Sequence, residues 1–70
     1  MPIITSPMAG TVSRLLIQDG DSVVPGQDVL MLESMKMEIA IQAEIGGTVK
    51  TTRVSEGEFV DEGTVLFELA

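Results

Sequence analysis

The residues best equipped for chemistry in this chain are Glu33-Ser34-Met35-Lys36-Met37-Glu38. Lys36 is one of two lysines, with Lys50, and it is flanked by thioethers rather than by charges. A primary amine in such a setting has three uses. As a Schiff-base nucleophile it needs burial or cationic neighbours to shed its proton near neutral pH, and the nearby Glu33 and Glu38 are anionic. As a phosphate ligand it wants a glycine-rich loop or a second cation, and neither stands next to it in sequence. As the target of another enzyme it has only to be accessible and held in a fixed place. The third use fits best. A surface lysine commonly serves solubility alone, and a Met run beside a strand is commonly core, so the place the elements give this segment decides its role.

The rest of the chain offers little competing chemistry. Its 70 residues make one small domain, expected to span 1–70, near the lower limit for a self-sufficient core. There is no cysteine and no histidine, which removes disulfides, thiolate sites, the commonest metal ligand and the commonest general base. No catalytic residue and no metal site is expected. Four basic against eleven acidic residues give a net charge of -7, which repels nucleic acid and anionic lipid. Two aromatics, Phe59 and Phe67, cannot build a base-stacking surface. No apolar run approaches the roughly 18 residues of a membrane span. The start Met1-Pro2-Ile3-Ile4-Thr5 has neither a basic segment nor a long apolar stretch, so no secretory signal is visible and a cytoplasmic location is expected. An autonomous enzyme is remote; a carrier or an interaction module, expected to be monomeric, is more natural.

The elements that position Lys36 follow from an internal repeat. Shifted by 37 residues, the sequence matches itself without a gap: Ile4 falls on Ile41, Gly10-Thr11-Val12 on Gly47-Thr48-Val49, Gly20 on Gly57, Val23 on Val60, Gly26 on Gly63 and Leu32 on Leu69. Asp19 with Glu56, Asp21 with Glu58 and Val29 with Leu66 are similar pairs. The half-repeats run from about 3 to 33 and from about 40 to 70. Stretches rich in Val, Ile, Leu and Thr between Gly, Pro and Asp clusters predict strands near 2–6, 10–17, 22–24, 28–34, 37–43, 47–54, 58–60 and 64–69. Gly10, Gly20, Gly26, Gly47, Gly57 and Gly63 are read as structural turn residues. Four short strands cannot bury their own apolar face. Two halves related by a pseudo-twofold axis can, as an all-β flattened eight-strand barrel or sandwich of two four-stranded antiparallel sheets.

The repeat makes the strands around residues 28–34 and 37–43 neighbours, joined by a hairpin with its tip at Met35-Lys36. Met37, Ile39, Ile41 and Ala43 alternate with Glu38, Ala40 and Gln42, so parity leaves Met37 partly packed. Leu30 and Leu32 face inward if Glu33 faces water, and Met35 shares the outward parity of Glu33. Tight two-residue hairpins want φ > 0 at both central positions and favour Asn-Gly. Met and Lys are poor choices there, since left-handed backbone costs about 1–2 kcal/mol per residue outside glycine. If the loop is this tight, local preference is overridden at the tip, as happens at functional sites.

Glu33-Ser34-Met35-Lys36-Met37-Glu38 resembles the attachment signature of the biotinyl/lipoyl carrier domain family, and Pro7-Met8-Ala9-Gly10-Thr11-Val12 resembles its upstream segment. The resemblance covers essentially the whole chain, and its length, its start and the Ser before Met-Lys-Met make it most similar to stand-alone bacterial attachment proteins of the biotin carboxyl carrier type. It implies that Lys36 is the covalent attachment site on an exposed hairpin. Met35, Met37, Glu33, Ser34 and Glu38 then serve ligase recognition and loop placement, and Met8 to Gly10 lies near the tip as support. A biotin protein ligase would activate biotin as its adenylate and Lys36 Nζ would attack it. A biotin carboxylase would then load the swinging biotin arm, and a carboxyltransferase would pass the carboxyl group to an acceptor. The carrier itself would be non-catalytic.

Position 34 is Ser where Ala is more usual in biotinyl domains. Lipoyl domains usually carry Asp before the lysine and Ala after it; Met35 and Met37 occupy those places, which favours biotin. No inserted segment between the halves resembles the protruding thumb of some carriers. A lipoyl carrier, or a dual acceptor of biotin and lipoate, is the alternative, and an unmodified β-barrel interaction module a further one.

Overall fold

A computed structural model describes residues 2–70; Met1, the first residue of the expected domain, lies outside the described residues. Runs of β-branched and aliphatic residues, punctuated by Gly and Pro turns, form eight strands: β1 (Ile3–Thr5), β2 (Gly10–Leu15), β3 (Ser22–Val23), β4 (Asp28–Ser34), β5 (Met37–Gln42), β6 (Gly47–Thr52), β7 (Phe59–Val60) and β8 (Val65–Leu69). Each lies within two residues of its predicted bounds. All pairings are antiparallel. They make two four-stranded sheets of order β1-β8-β6-β3 and β5-β4-β2-β7. Among the described residues no helix is long and apolar enough to cross a membrane.

A shift of 37 residues carries β1 to β5, β2 to β6, β3 to β7 and β4 to β8, and so converts one sheet order into the other. Each sheet therefore takes two strands from either side of the central hairpin. The core obeys the same operation. Its buried side chains fall into the pairs Ile4/Ile41, Ser6/Ala43, Val12/Val49, Ile17/Val54, Val23/Val60, Val29/Leu66, Leu30/Phe67 and Leu32/Leu69. Most come from the inner faces of the strands, where the pleat buries alternate positions except at Val29-Leu30 and Leu66-Phe67. Register shifts repeat too: Ser13 and Lys50 are the extra residues of β2 and β6, Val29 and Leu66 those of β4 and β8. Such bulges add the twist that lets two small sheets wrap one core.

Turn chemistry follows the repeat even where residue types differ. Gly20 and Gly57 sit at φ +93° and +91°, a region L-residues rarely adopt. Their amides donate to Val49 O at 2.8 Å and Val12 O at 2.7 Å. The Gly26 and Gly63 turns match likewise, donating to Ala43 O and Ser6 O, each at 2.8 Å. Asp19 Oδ1 accepts from the Thr52 amide at 2.8 Å, and Glu56 Oε2 accepts from the Leu15 amide at 3.0 Å. Gly10 and Gly47 depart from their reading as turn residues: they open β2 and β6. At Gly10 a close approach replaces the turn, since a Cβ would lie 3.1 Å from the Glu33 carbonyl oxygen.

Candidate functional site

The hairpin between β4 and β5 is built as its sequence requires. Leu32 pairs with Ile39, Glu33 with Glu38 and Ser34 with Met37, leaving Met35 and Lys36 as a two-residue loop. Met35 has φ 53° and Lys36 φ 67°; among the described residues these are the non-glycine residues at positive φ. Positive φ at both central positions matches the twist of the flanking strands, and the register of the arms holds it there against the residues' own preference. The two left-handed residues together cost about 2–4 kcal/mol. That cost buries no apolar surface, because Lys36 is exposed and Met35 is 92% exposed.

Met37 departs from the parity expectation that it is partly packed: it is 64% exposed. It does lie on the inward parity of β5, but burial fades toward the tip, from Ile41 at 4% through the half-buried Ile39 to Met37. Met37 stands in the last rung of the hairpin, opposite Ser34 and beside the two-residue turn, where the buried inward row has run out. Both thioethers beside Lys36 are consequently presented to solvent, while Ser34 stays half-buried.

Below the tip, Glu33 and Glu38 form one outward-facing cross-strand pair. The rung continues across the sheet, since Thr11 on β2 pairs with Glu33 on one side and with Phe59 on β7 on the other. Gly10 brings β2 against the Leu32–Glu33 backbone and so braces the base of the hairpin. The preceding Pro7-Met8 segment is held by the buried Ser6 hydroxyl, which donates to Met8 O at 2.6 Å. Met8 packs against the core. Sequence reasoning passed over Ser6, Thr11 and Phe59. The available signal for Phe59 was an aromatic at an outward parity position whose repeat mate is Ser22.

A groove of about 330 Å³ separates edge strands β1 and β5, lined by repeat mates such as Ile4 and Ile41, Thr5 and Gln42, Met8 and Ile45. It lies along the strands, and Lys36 is not among its walls. Among the described residues no group of three or more His, Cys, Asp or Glu is placed to hold a metal ion. The chemistry the tip offers is that of one exposed amine, set on a turn of two left-handed residues.

A small two-sheet barrel that displays a lysine on its central hairpin is the architecture of a prosthetic-group attachment domain. The family model described as biotin-requiring enzyme, for biotin/lipoyl attachment, matches residues 2–69. The chain belongs to this family. It is 46% identical over 67 residues to the biotin/lipoyl attachment protein of Bacillus subtilis (strain 168), covering 96% of this chain and 92% of that one. It is 39% identical over 67 residues to the mitochondrial propionyl-CoA carboxylase alpha chain of Homo sapiens, and there it spans 9% of the relative's length. Among solved structures, the lipoyl domain of the Azotobacter vinelandii 2-oxoglutarate dehydrogenase complex superposes with a TM-score of 0.76 at 25% identity, covering 99% of this chain and 96% of that one.

Proposed function

We propose that this protein is a biotin carboxyl carrier and that Lys36 is its attachment residue. The observation that supports it most is the two-residue turn at Met35-Lys36, which holds an exposed amine in a fixed place at a cost in backbone strain. The residues fit a covalently attached group: the amine is exposed, and its neighbours Met35 and Met37 are 92% and 64% exposed, leaving room for an enzyme surface around it. The ligase would be a biotin protein ligase. In the attachment step the Lys36 Nζ lone pair attacks the acyl carbon of the activated carboxylate. The new C–N bond forms, the acyl–oxygen bond to the leaving group breaks, and the amine proton passes to the ligase. This chain contributes position and accessibility and no catalysis.

When bound, biotin supplies the carboxyl-carrying chemistry through its ureido group. The chain's part is then mechanical. The double sheet is the rigid body, Lys36 the hinge of the arm, and tethering holds the group at high effective concentration near each partner active site. Biotin carboxylase and carboxyltransferase components are the partners this reading gives, in keeping with the carboxylase alpha chain among the relatives. A cytoplasmic location goes with it. Met35 and Met37, where lipoyl domains usually carry Asp and Ala, favour biotin. Lipoate is the second reading, because the fold matches a lipoyl domain over nearly the whole of both chains.

The test is intact mass after incubation with ATP and either a biotin protein ligase with free biotin or a lipoate ligase with free lipoate. A single biotinyl addition mapping to Lys36, absent in Lys36→Arg, is the expected result. Addition at Lys50, or lipoylation in place of biotinylation, would reject it.

A further inference from the structure

The pseudo-twofold repeat is an internal control. Positions related by the 37-residue shift have the same backbone environment, so a difference between mates marks something the fold does not ask for. The outward rung of the hairpin-bearing sheet runs Glu38, Glu33, Thr11, Phe59. On the other sheet Thr48 is the mate of Thr11. It pairs with Ser22, the mate of Phe59, and its carbonyl accepts from the amide of Ala70, the mate of Glu33, at 2.8 Å. One sheet thus carries Ala70 and Ser22 where the other carries Glu33 and Phe59. The fold makes no use of that phenylalanine. Phe67, the other aromatic, is fully buried, whereas Phe59 is 62% exposed.

We infer that the outer face of the β5-β4-β2-β7 sheet, anchored by Phe59, is the docking surface for the enzyme that acylates Lys36. This rests on the carrier reading above. Three considerations carry it. The first is reach. An enzyme that acylates the bare amine must bring its active site within a lysine side chain of the hairpin, so its surface lies against the faces beside the tip. The loaded arm spares later partners that closeness. The second is distance. Two strand spacings put β7 about 10 Å from β4, and three residues of strand put the Glu33 rung about 10 Å below Lys36. A standard contact covers about 800 Å² per partner, a disc of about 16 Å radius, which takes in Phe59. The third is charge. Glu33 lies between the tip and Phe59 with Glu38 beside it across the hairpin, and Glu58, Asp61 and Glu62 flank Phe59 in sequence, all exposed. Arg14, exposed and paired with Met31 two rungs further from the tip, is a cation of this face. The complementary surface is an apolar socket for one aromatic ring, bordered by Lys or Arg side chains.

The experiment is steady-state biotinylation of the full chain by a biotin protein ligase, comparing wild type, Phe59→Ser and Phe59→Leu. Phe59→Ser installs the residue that its repeat mate already carries, and its melting temperature should stay close to wild type. The expected result is an increase in KM for the carrier of about tenfold with kcat unchanged, because the ring anchors binding and stands away from the amine. Phe59→Leu should recover most of the loss. Wild-type KM in a folded Phe59→Ser variant would overturn the inference. So would normal loading of that variant with slow carboxylation by a biotin carboxylase, which would move the surface to a later partner. If the wild type accepts no biotin, the carrier reading itself fails, an outcome distinct from either.

Discussion

Glu33 on β4 stands directly opposite Glu38 on β5, two like charges paired one rung below the turn that carries Lys36. Like charges facing each other across a ladder work against the pairing that holds the hairpin closed. The Met35-Lys36 turn works against it too. Two unfavourable choices at the same end of the same hairpin, in a domain whose other turns follow local preference, mark where stability has yielded to another requirement.

Replacing Glu38 by Lys turns the repulsive pair into an attractive one. The hairpin should gain about 0.2–1 kcal/mol at low ionic strength. Chemical denaturation with and without added salt checks this, because screening should erase most of the gain.

The turn itself can be relaxed. Met35→Asn with Lys36→Gly installs the pair that a left-handed two-residue loop favours. It should stabilise the domain by about 1–3 kcal/mol, with a melting temperature higher by roughly 5–15 °C for a chain of this size. The same variant should accept no biotin. A lower melting temperature would show that the turn is not strained.

Lys36→Ala separates role from fold. The side chain is exposed, so stability should change by no more than about 0.5 kcal/mol. Modification should disappear from the intact mass. An unfolded variant would contradict the exposed-tip geometry.

Gly20→Ala and Gly57→Ala test the repeat. Both positions have φ near +90° and open space where a Cβ would go. Each substitution should therefore cost the backbone term alone, about 1–2 kcal/mol. The two values should agree closely. A large difference in denaturation midpoints would show that the two halves are not energetically equivalent.

Much of this molecule was legible in its residues. All eight strands and the Met35-Lys36 tip follow from alternation, turn glycines and the 37-residue offset, because each of those signals is written in residue types along the chain. Three features were not local. The exposure of Met37 depends on how far the core reaches along the hairpin, which parity along β5 does not report. The role of Gly10 depends on how closely β2 approaches the Glu33 backbone. The setting of Phe59 emerges only when β7 is laid beside β2 at Thr11, a pairing between residues far apart in the chain.

The exchange of strands between the sheets also bears on how the chain would respond to being severed. Split between Lys36 and Met37, the amino-terminal piece keeps one internal strand pairing, β2 with β4, and the carboxy-terminal piece keeps β6 with β8. β1, β3, β5 and β7 then have partners only on the opposite fragment. Neither piece has a reason to fold by itself, and each is the template the other lacks. Mixed together, they would reassemble with the reactive amine riding on a free chain end.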